Sequence, residues 1–219
     1  MDEIQRLQSA YRSAFKHCPS LRRRAVATRG AAPGSGQDSD AKRGARRLCE
    51  PRHTRVRHQR VVRAGLIDEA SQIPADKFSF QAAEGMRSVA QLLQHLVESQ
   101  KFLVGEACRP DTNLLRKSFA ENIKDYAPNV RDVNDKDEIL KLLATAMGDA
   151  EKQLRDGADE MKNTMTRFDG KQMTKLAFMS FAIAHEMYHR GQLTVYERLL
   201  GIEPMLTQRF RKAFGESPP

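Results

Sequence analysis

Residues 172–200 read QMTKLAFMSFAIAHEMYHRGQLTVYERLL, and this stretch decides the fold. Apolar and small residues recur in it at every third or fourth position, which predicts one long amphipathic helix. The same face carries His185 and His189, and imidazoles four residues apart on a helix lie one above the other. The stretch therefore predicts a core helix that presents a pair of metal-ligating histidines. The predicted face comprises Phe178, Phe181, Ala182, His185, His189, Gln192, Tyr196 and Leu199.

Three further helices are predicted upstream, at about residues 54–72, 88–108 and 135–161. Residues 109–133 have mixed composition and two prolines, which predicts an irregular crossover to the third helix. Alternating β-branched runs are few, so no large sheet is expected. Four amphipathic helices of this length predict an all-α fold, a four-helix bundle, which is an architecture that builds metal sites from facing helices.

Helix ends carry their own sequence signals. Ser88 is followed three residues later by Gln91, the spacing of a capping box. Asp135 and Glu138 have the same spacing at the start of the third helix. Pro110 ends the second helix because proline lacks the amide that a helix interior requires. These signals fix the predicted bounds more closely than periodicity alone.

The positive charge of the chain is concentrated at its N-terminus. Residues 1–60 hold 15 of the 37 Lys and Arg and 5 of the 28 Asp and Glu, which leaves 22 basic and 23 acidic residues for the remainder. A near-neutral body argues against nucleic-acid binding by the folded part. Residues 1–50 are predicted to be a basic, low-complexity, disordered extension, residues 51–206 the bundle, and residues 207–219 a short tail. Four interpretations of the extension stay open: an arm that binds nucleic acid or an acidic membrane, an organelle transit segment, a solvated extension, or translated sequence upstream of the true start.

Cysteine usage and hydropathy set the expected compartment. Cys18, Cys49 and Cys108 are odd in number and widely spaced, so neither a disulfide framework nor a cysteine zinc site is predicted. No apolar run approaches the length of about 20 residues that spans a bilayer. The sequence therefore predicts a cytoplasmic protein without a membrane partner.

His95 supplies a possible third ligand to the histidine pair. It lies on the predicted inward face of the second helix, on the same side as Leu92 and Phe102. A single inward histidine is commonly a core residue that satisfies its own hydrogen bonds. Combined with His185 and His189 on another helix, it predicts a three-histidine site. Three neutral imidazoles favour zinc, nickel or another late first-row ion and leave coordination positions open.

Residues 185–189 also match H-E-x-x-H, the helical zinc-protease signature in which the glutamate is the general base. This match makes Glu186 a candidate catalytic residue, with a solvated or ligand-supporting glutamate as the alternative. The extended signature requires Gly and His where this chain has Gln192 and Val195. The protease interpretation therefore rests on three residues only.

Two longer runs resemble the DinB/YfiT-like superfamily. The first is Ile73–Phe78 (IPADKF) leading to Arg87–Leu96 (RSVAQLLQHL), and the second is His185–Leu193 (HEMYHRGQL). Residues that extend the second run are Tyr196, Gly201 and Pro204. The resemblance covers about residues 73–204, which is most of the predicted bundle. The long basic N-terminus departs from the family pattern.

The resemblance implies a DinB-like four-helix bundle with a divalent metal, zinc or nickel, held by His95, His185 and His189, and a homodimer. It implies a metal-dependent S-transferase that joins a low-molecular-weight thiol, such as bacillithiol or mycothiol, to an electrophilic co-substrate. A metal-dependent hydrolase and a non-catalytic metal-binding stress-response protein are the alternatives. The family name reflects damage-inducible expression and does not establish action on DNA. From their positions on the same helix, Gln192 is expected to support the metal, and Arg190 and Tyr188 to contact the substrate. The alternatives are a surface ion pair for Arg190 and a core position for Tyr188.

Overall fold

The computed structural model describes residues 63–215, which form six α-helices and one small hairpin. The predicted extension at residues 1–50 and the predicted start of the first helix near residue 54 lie outside the described residues. The helices are α1 (63–72), α2 (Val89–Cys108), α3 (Phe119–Tyr126), α4 (Lys136–Asp156), α5 (Lys175–Leu199) and α6 (Met205–Phe214). The strands are β1 (Thr164–Thr166) and β2 (Gln172–Thr174), which pair antiparallel with Met165 opposite Met173.

The all-α prediction is confirmed, since α1, α2, α4 and α5 form the bundle. Helix α2 packs against both α4 and α5. Its start is fixed by the predicted capping box: the Ser88 amide donates to Gln91 Oε1 (2.9 Å) and the Gln91 amide donates to Ser88 Oγ (3.2 Å). Apolar side chains from all four helices form the core beside α2, and they include Leu66, Ala70, Leu92, Leu93, Leu96, Leu143, Met147, Leu193 and Tyr196. Their removal from water is the main stabilising contribution to such a fold.

The predicted irregular crossover at residues 109–133 contains a helix, so that prediction is wrong in part. Helix α3 begins with its own capping box, in which the Glu121 amide donates to Ser118 Oγ (3.3 Å) and Ser118 donates back to the Glu121 carboxylate (2.9 Å). The ring of Tyr126 then packs directly on Gly105 of α2, where a Cβ atom would overlap with it. The short helix is held by this close approach and by buried Ile123.

The other predicted bounds differ at the helix ends. Helix α4 ends at Asp156 and is followed by a 3-10 turn at Ala158–Lys162, where one helix to residue 161 was expected. The first residues of the expected fourth helix form β2 instead. Residues 207–219 were expected to be a short tail, and the first of them belong to the ten-residue helix α6.

Helix α6 begins on a buried carboxylate of α1. Pro204 provides no side-chain cap, and the amides of Met205 and Leu206 donate to the Glu69 carboxylate at 2.5 and 3.3 Å. The Arg190 guanidinium of α5 donates to the same carboxylate at 3.0 Å. Negative charge at a helix N-terminus is stabilising because it faces unpaired amides and the positive end of the helix dipole. Glu69 therefore joins α1, α5 and α6.

A second buried carboxylate, that of Glu197, lies in the same region. Gln72 donates to its Oε1 at 3.1 Å, and its buried Oε2 accepts no hydrogen bond from the described residues. Burial, followed by the charge of Glu69, raises the pKa of Glu197 from 4.5 to about 8. The folded protein therefore holds this proton at pH values where the unfolded chain has lost it.

This pKa predicts a pH-dependent free energy of unfolding that Glu197→Gln removes. Between about pH 4.5 and about pH 8 the unfolded chain binds fewer protons than the folded protein, so Glu197 makes stability fall as pH rises. The slope for one proton is at most about 1.4 kcal/mol per pH unit. Urea denaturation at pH 5, 6.5 and 8 should show that the free energy of unfolding of Glu197→Gln rises relative to that of the wild type as pH rises. The control is Glu203→Gln, a change at a partly exposed carboxylate, which should show the pH dependence of the wild type. Parallel curves for Glu197→Gln and the wild type would contradict the assignment.

None of the helices within residues 63–215 combines the length and the apolar character needed to cross a bilayer.

Candidate metal centre

The structure brings His95, His185 and His189 together between α2 and α5. The Nε2 atom of His185 lies 3.2 Å from that of His95 and 3.0 Å from that of His189. One ring nitrogen from each residue lies within 4.8 Å of the other two. Helix α5 supplies two of the rings because positions four apart share a face, and α2 supplies the third from the second turn after its cap.

Gln192 sets the tautomer of His189. The Nδ1–H group of His189 donates to Gln192 Oε1 at 2.6 Å, and His189 is almost fully buried. Since that proton is on Nδ1, the lone pair of Nε2 faces the other two histidines. Gln192 in turn donates through Nε2 to the Tyr188 hydroxyl at 3.2 Å. Such a hydrogen bond to the distal nitrogen is typical of ligating histidines.

The three nitrogens fit one ion. Zn–N bonds of about 2.0–2.1 Å place ligand nitrogens about 2.9 Å apart at a right angle and about 3.4 Å apart in a tetrahedron. The separations of 3.0 and 3.2 Å lie between these values. Lone pairs that face one another at this distance repel unless a proton or a metal cation lies between them. The donor set therefore fits a small divalent cation with open coordination positions.

Two of the imidazoles, those of His95 and His185, are held in their neutral form. Burial, together with the charges of Arg87 and the other histidines, lowers the pKa of His95 to about 2. Burial, then His189 and Arg87, lowers the pKa of His185 to about 3. Neutral imidazole is the form that binds metal. These two histidines are therefore ready to ligate at neutral pH without losing protons.

The carboxylate of Glu186 lies in a buried network with α1. Its Oε1 is 3.7 Å from Arg63 Nη2, and both side chains are buried. In the amide orientation that satisfies both neighbours, Gln100 bridges the pair, donating to Glu186 and accepting from Arg63 Nη2 at 2.5 Å. Arg63 also donates to the Met147 carbonyl at 3.2 Å. Burial raises the pKa of Glu186 to about 7, against the opposing effect of Arg63.

Arg190 and Tyr188 differ in their placement. The guanidinium of Arg190 forms the buried pair with Glu69 described above, and it packs where a Cβ atom on Gly65 would overlap with it. The ion pair of Arg190 is therefore buried and not at the surface, and a contact of Arg190 with substrate stays a prediction. Tyr188 is 48% exposed, and its ring lies edge-on to His189 with centroids 5.0 Å apart.

Sequence reasoning missed two arginines. Arg63 lies at the end of a basic run, and nothing in the sequence indicates that it pairs with a glutamate of α5. Arg87 directly precedes the cap of α2, and its charge acts on both His95 and His185. The sequence did contain a signal for Arg87, because this cation comes immediately before the helix that carries His95.

Solved structures with the same fold include three informative relatives. YjoA, a DinB-like protein from Bacillus subtilis, is 21% identical, with a TM-score of 0.53 over 68% of this chain and 92% of that chain. YfiT from Bacillus subtilis, described as a probable metal-dependent hydrolase with an unusual four-helix bundle topology, is 17% identical, with a TM-score of 0.55 over 71% and 90%. A mycothiol-dependent maleylpyruvate isomerase is 13% identical, with a TM-score of 0.53 over 66% of this chain and 61% of that chain. At these identities the likeness establishes the fold.

Family membership follows from the sequence. Comparison with curated proteins finds no match. The sequence model of the DinB family matches residues 50–218, which include α1 to α6 and all three clustered histidines. Because this match spans most of the chain, the protein belongs to the DinB family.

Proposed function

We propose that the protein is a metal-dependent S-transferase that activates a low-molecular-weight thiol at a site formed by His95, His185 and His189. Zinc or nickel is the proposed ion, in keeping with three imidazole ligands. The histidine cluster supports the metal, and the mycothiol-dependent relative supports the thiol. The second substrate is an electrophile that accepts the sulfur atom.

The side chains of this chain have distinct proposed tasks. The three histidines hold the ion, and Gln192 keeps the lone pair of His189 directed at it. When bound, a divalent ion lowers the pKa of a coordinated thiol, so that the nucleophilic thiolate forms at neutral pH. Phe181 and Tyr188, both partly exposed, flank the rings of His185 and His189 and would restrict access to the cluster.

One observation favours thiol transfer over hydrolysis: Glu186 forms an ion pair with Arg63 and does not belong to the histidine cluster. Its carboxylate pairs with Arg63 in the bundle interior, and no carboxylate among residues 63–215 joins the histidine cluster. A zinc hydrolase of the H-E-x-x-H type needs that glutamate to take a proton from water. Thiol activation needs no such base because the ion itself favours the thiolate.

Hydrolysis is the second candidate, since YfiT is described as a probable metal-dependent hydrolase. In that case the open coordination positions would accept water. A non-catalytic metal-binding or stress-response role is the third. The homodimer and the cytoplasmic location stay predictions from the sequence.

Cobalt substitution tests the proposed function directly. We expect that adding N-acetylcysteine to the Co(II)-loaded protein gives a sulfur-to-cobalt charge-transfer band, because the thiol enters an open position. Glu186→Gln should keep both the bound cobalt and the band, whereas His185→Ala should lose both. An unchanged cobalt spectrum across several thiols would overturn the proposal. Metal-dependent hydrolysis that disappears in Glu186→Gln would establish the hydrolase instead.

A further inference from the structure

The exposed apolar side chains of the protein are concentrated on α5 and α6. Among residues 63–215, nine large apolar side chains are well exposed, and all except Leu115 belong to these two helices. A single exposed apolar residue is common, whereas a contiguous group marks a surface that another molecule covers. The eight residues are Phe181, Met187, Tyr188, Val195 and Leu199 on α5 and Leu206, Phe210 and Phe214 on α6.

The exposed face of α5 also carries almost no charge. Ten residues of this helix are exposed, and only Arg198 among them is charged. Helix α4 provides the comparison, because seven of its eleven exposed residues are Asp, Glu, Lys or Arg. Depletion of charged residues distinguishes the centre of a protein interface from the rest of the surface. The exposed face of α5 therefore has the composition of an interface, and that of α4 has the composition of ordinary surface.

Large and small side chains alternate along this face of α5. Phe181, Ala184, Tyr188, Gly191 and Val195 follow one another at steps of three and four residues, which is the spacing of a seam between two packed helices. Space is open at Gly191, where no described residue beyond its chain neighbours and the backbone of α5 lies within 4 Å of the position of a Cβ atom. The face therefore presents both projecting rings and recesses.

The exposed apolar area is large enough for a stable contact between two proteins. A large side chain offers about 200 Å² when fully exposed, so the exposed fractions of the eight side chains amount to roughly 800 Å². A standard interface buries about 800 Å² on each partner. Helix α6 contributes to the same surface because Arg198, near the end of α5, donates to Thr207 Oγ1 of α6 at 3.3 Å.

We propose that this face binds the same face of a second copy of the chain, with the two α5 helices antiparallel about a two-fold axis. In a parallel pair each residue would meet its equivalent, ring against ring and recess against recess. In the antiparallel pair, the register that sets Phe181 opposite Gly191 of the partner subunit also sets Tyr188 opposite Ala184 of the partner subunit. Rings then fill recesses, as close packing requires. Such a symmetric pair is the commonest form of soluble oligomer.

This contact brings the second copy next to the metal centre. The ring of Phe181 lies 6.0 Å from that of His185, and the ring of Tyr188 lies 5.0 Å from that of His189, measured between centroids. Because both rings belong to the paired face, the partner subunit holds them in place and covers part of the path to the cluster. The inference concerns this surface alone, so it does not depend on the reaction proposed above.

Sedimentation velocity of the full-length protein at micromolar concentration tests the contact. We expect the wild type to sediment as a dimer of two 24.8 kDa chains. Ala184→Glu and Val195→Glu should each raise the dissociation constant of the dimer by at least about 100-fold, because like charges would meet in a contact that excludes water. The matched control is Ala144→Glu, the same change at an exposed alanine of α4, which should leave the dimer intact.

An exchange of charge separates loss of the contact from misfolding. Ala184→Lys alone should also be monomeric, but a mixture of Ala184→Lys and Ala184→Glu should form a dimer. In the proposed register the two copies of this position lie about 6 Å apart along the helix axis, so opposite charges there attract. Failure of the mixture to form a dimer would overturn the register.

Two further results would overturn the proposal as a whole. One is a monomeric wild type, and cosedimentation of that monomer with phosphatidylglycerol vesicles would assign the face to a membrane surface instead. The other is a dimer that persists in both Ala184→Glu and Val195→Glu, which would place the contact on another surface.

Discussion

Replacing any one of His95, His185 and His189 by alanine is expected to lower the affinity of the protein for zinc or cobalt by at least about 100-fold. Loss of a group that merely supports a ligand costs about 10–100-fold. Removing one of three ligands should cost more, because two imidazoles cannot enclose the ion. Competition with a chromogenic chelator measures the affinity, and thermal unfolding of the metal-free variants tests whether the fold is intact.

Two controls sharpen this experiment. Arg155→Ala changes an exposed residue of α4 that pairs with Glu151 and should leave the affinity unchanged. Gln192→Ala should give an intermediate loss of about 10–100-fold, since it removes only the acceptor of the His189 proton. Stoichiometric metal in all three single ligand variants would show that the cluster is not the site.

The second large effect is expected at the buried pair of Arg63 and Glu186. Arg63→Met should lower the free energy of unfolding by about 3 kcal/mol at pH 8, because it leaves a buried carboxylate without its cation. The double variant Arg63→Met, Glu186→Met should recover most of this loss, since a buried pair replaced as a unit by apolar side chains often costs little. Urea denaturation of the single and double variants gives the coupling energy.

The matched comparison is the exposed pair of Arg155 and Glu151 on α4. Breaking that pair should change the free energy of unfolding by less than about 1 kcal/mol, as is usual for surface ion pairs. Equal, small effects for the two pairs would show that the contact between Arg63 and Glu186 contributes nothing to the free energy of unfolding. The double variant should also keep its cobalt affinity, because neither residue belongs to the cluster; a large loss of cobalt would tie Glu186 to the metal.

The sequence predicted the bundle because its signals are local. The capping box at Ser88 and Gln91 and the apolar face of α5 depend on residues within a few turns. The proximity of His95 to His185 also followed from which face each helix buries. Local periodicity predicts which face of a helix is buried, but it cannot show which residue of another helix contacts a side chain on an adjacent face. Glu186 is one residue from His185, about 100° around the helix, and its partner Arg63 comes from α1.

The missed elements share a dependence on distant residues. Helix α3 is held by the contact of Tyr126 with Gly105, which no pattern within residues 109–133 contains. Helix α6 lacks a capping side chain of its own, because Pro204 precedes it and the carboxylate comes from Glu69. Each of these helices is short, so tertiary contacts decide whether it forms.

The capping of α6 by Glu69 also has a consequence for the order of events during synthesis. A growing chain is made from its N-terminus, so Glu69 is synthesised well before Met205 and Leu206, the residues whose amides it accepts. Until those amides arrive, burial of this carboxylate is incompletely compensated, and the face of α1 that carries it favours water. An incomplete chain still being translated can pair Glu69 with Arg190, but it lacks the two amides that complete the hydrogen bonding of this carboxylate.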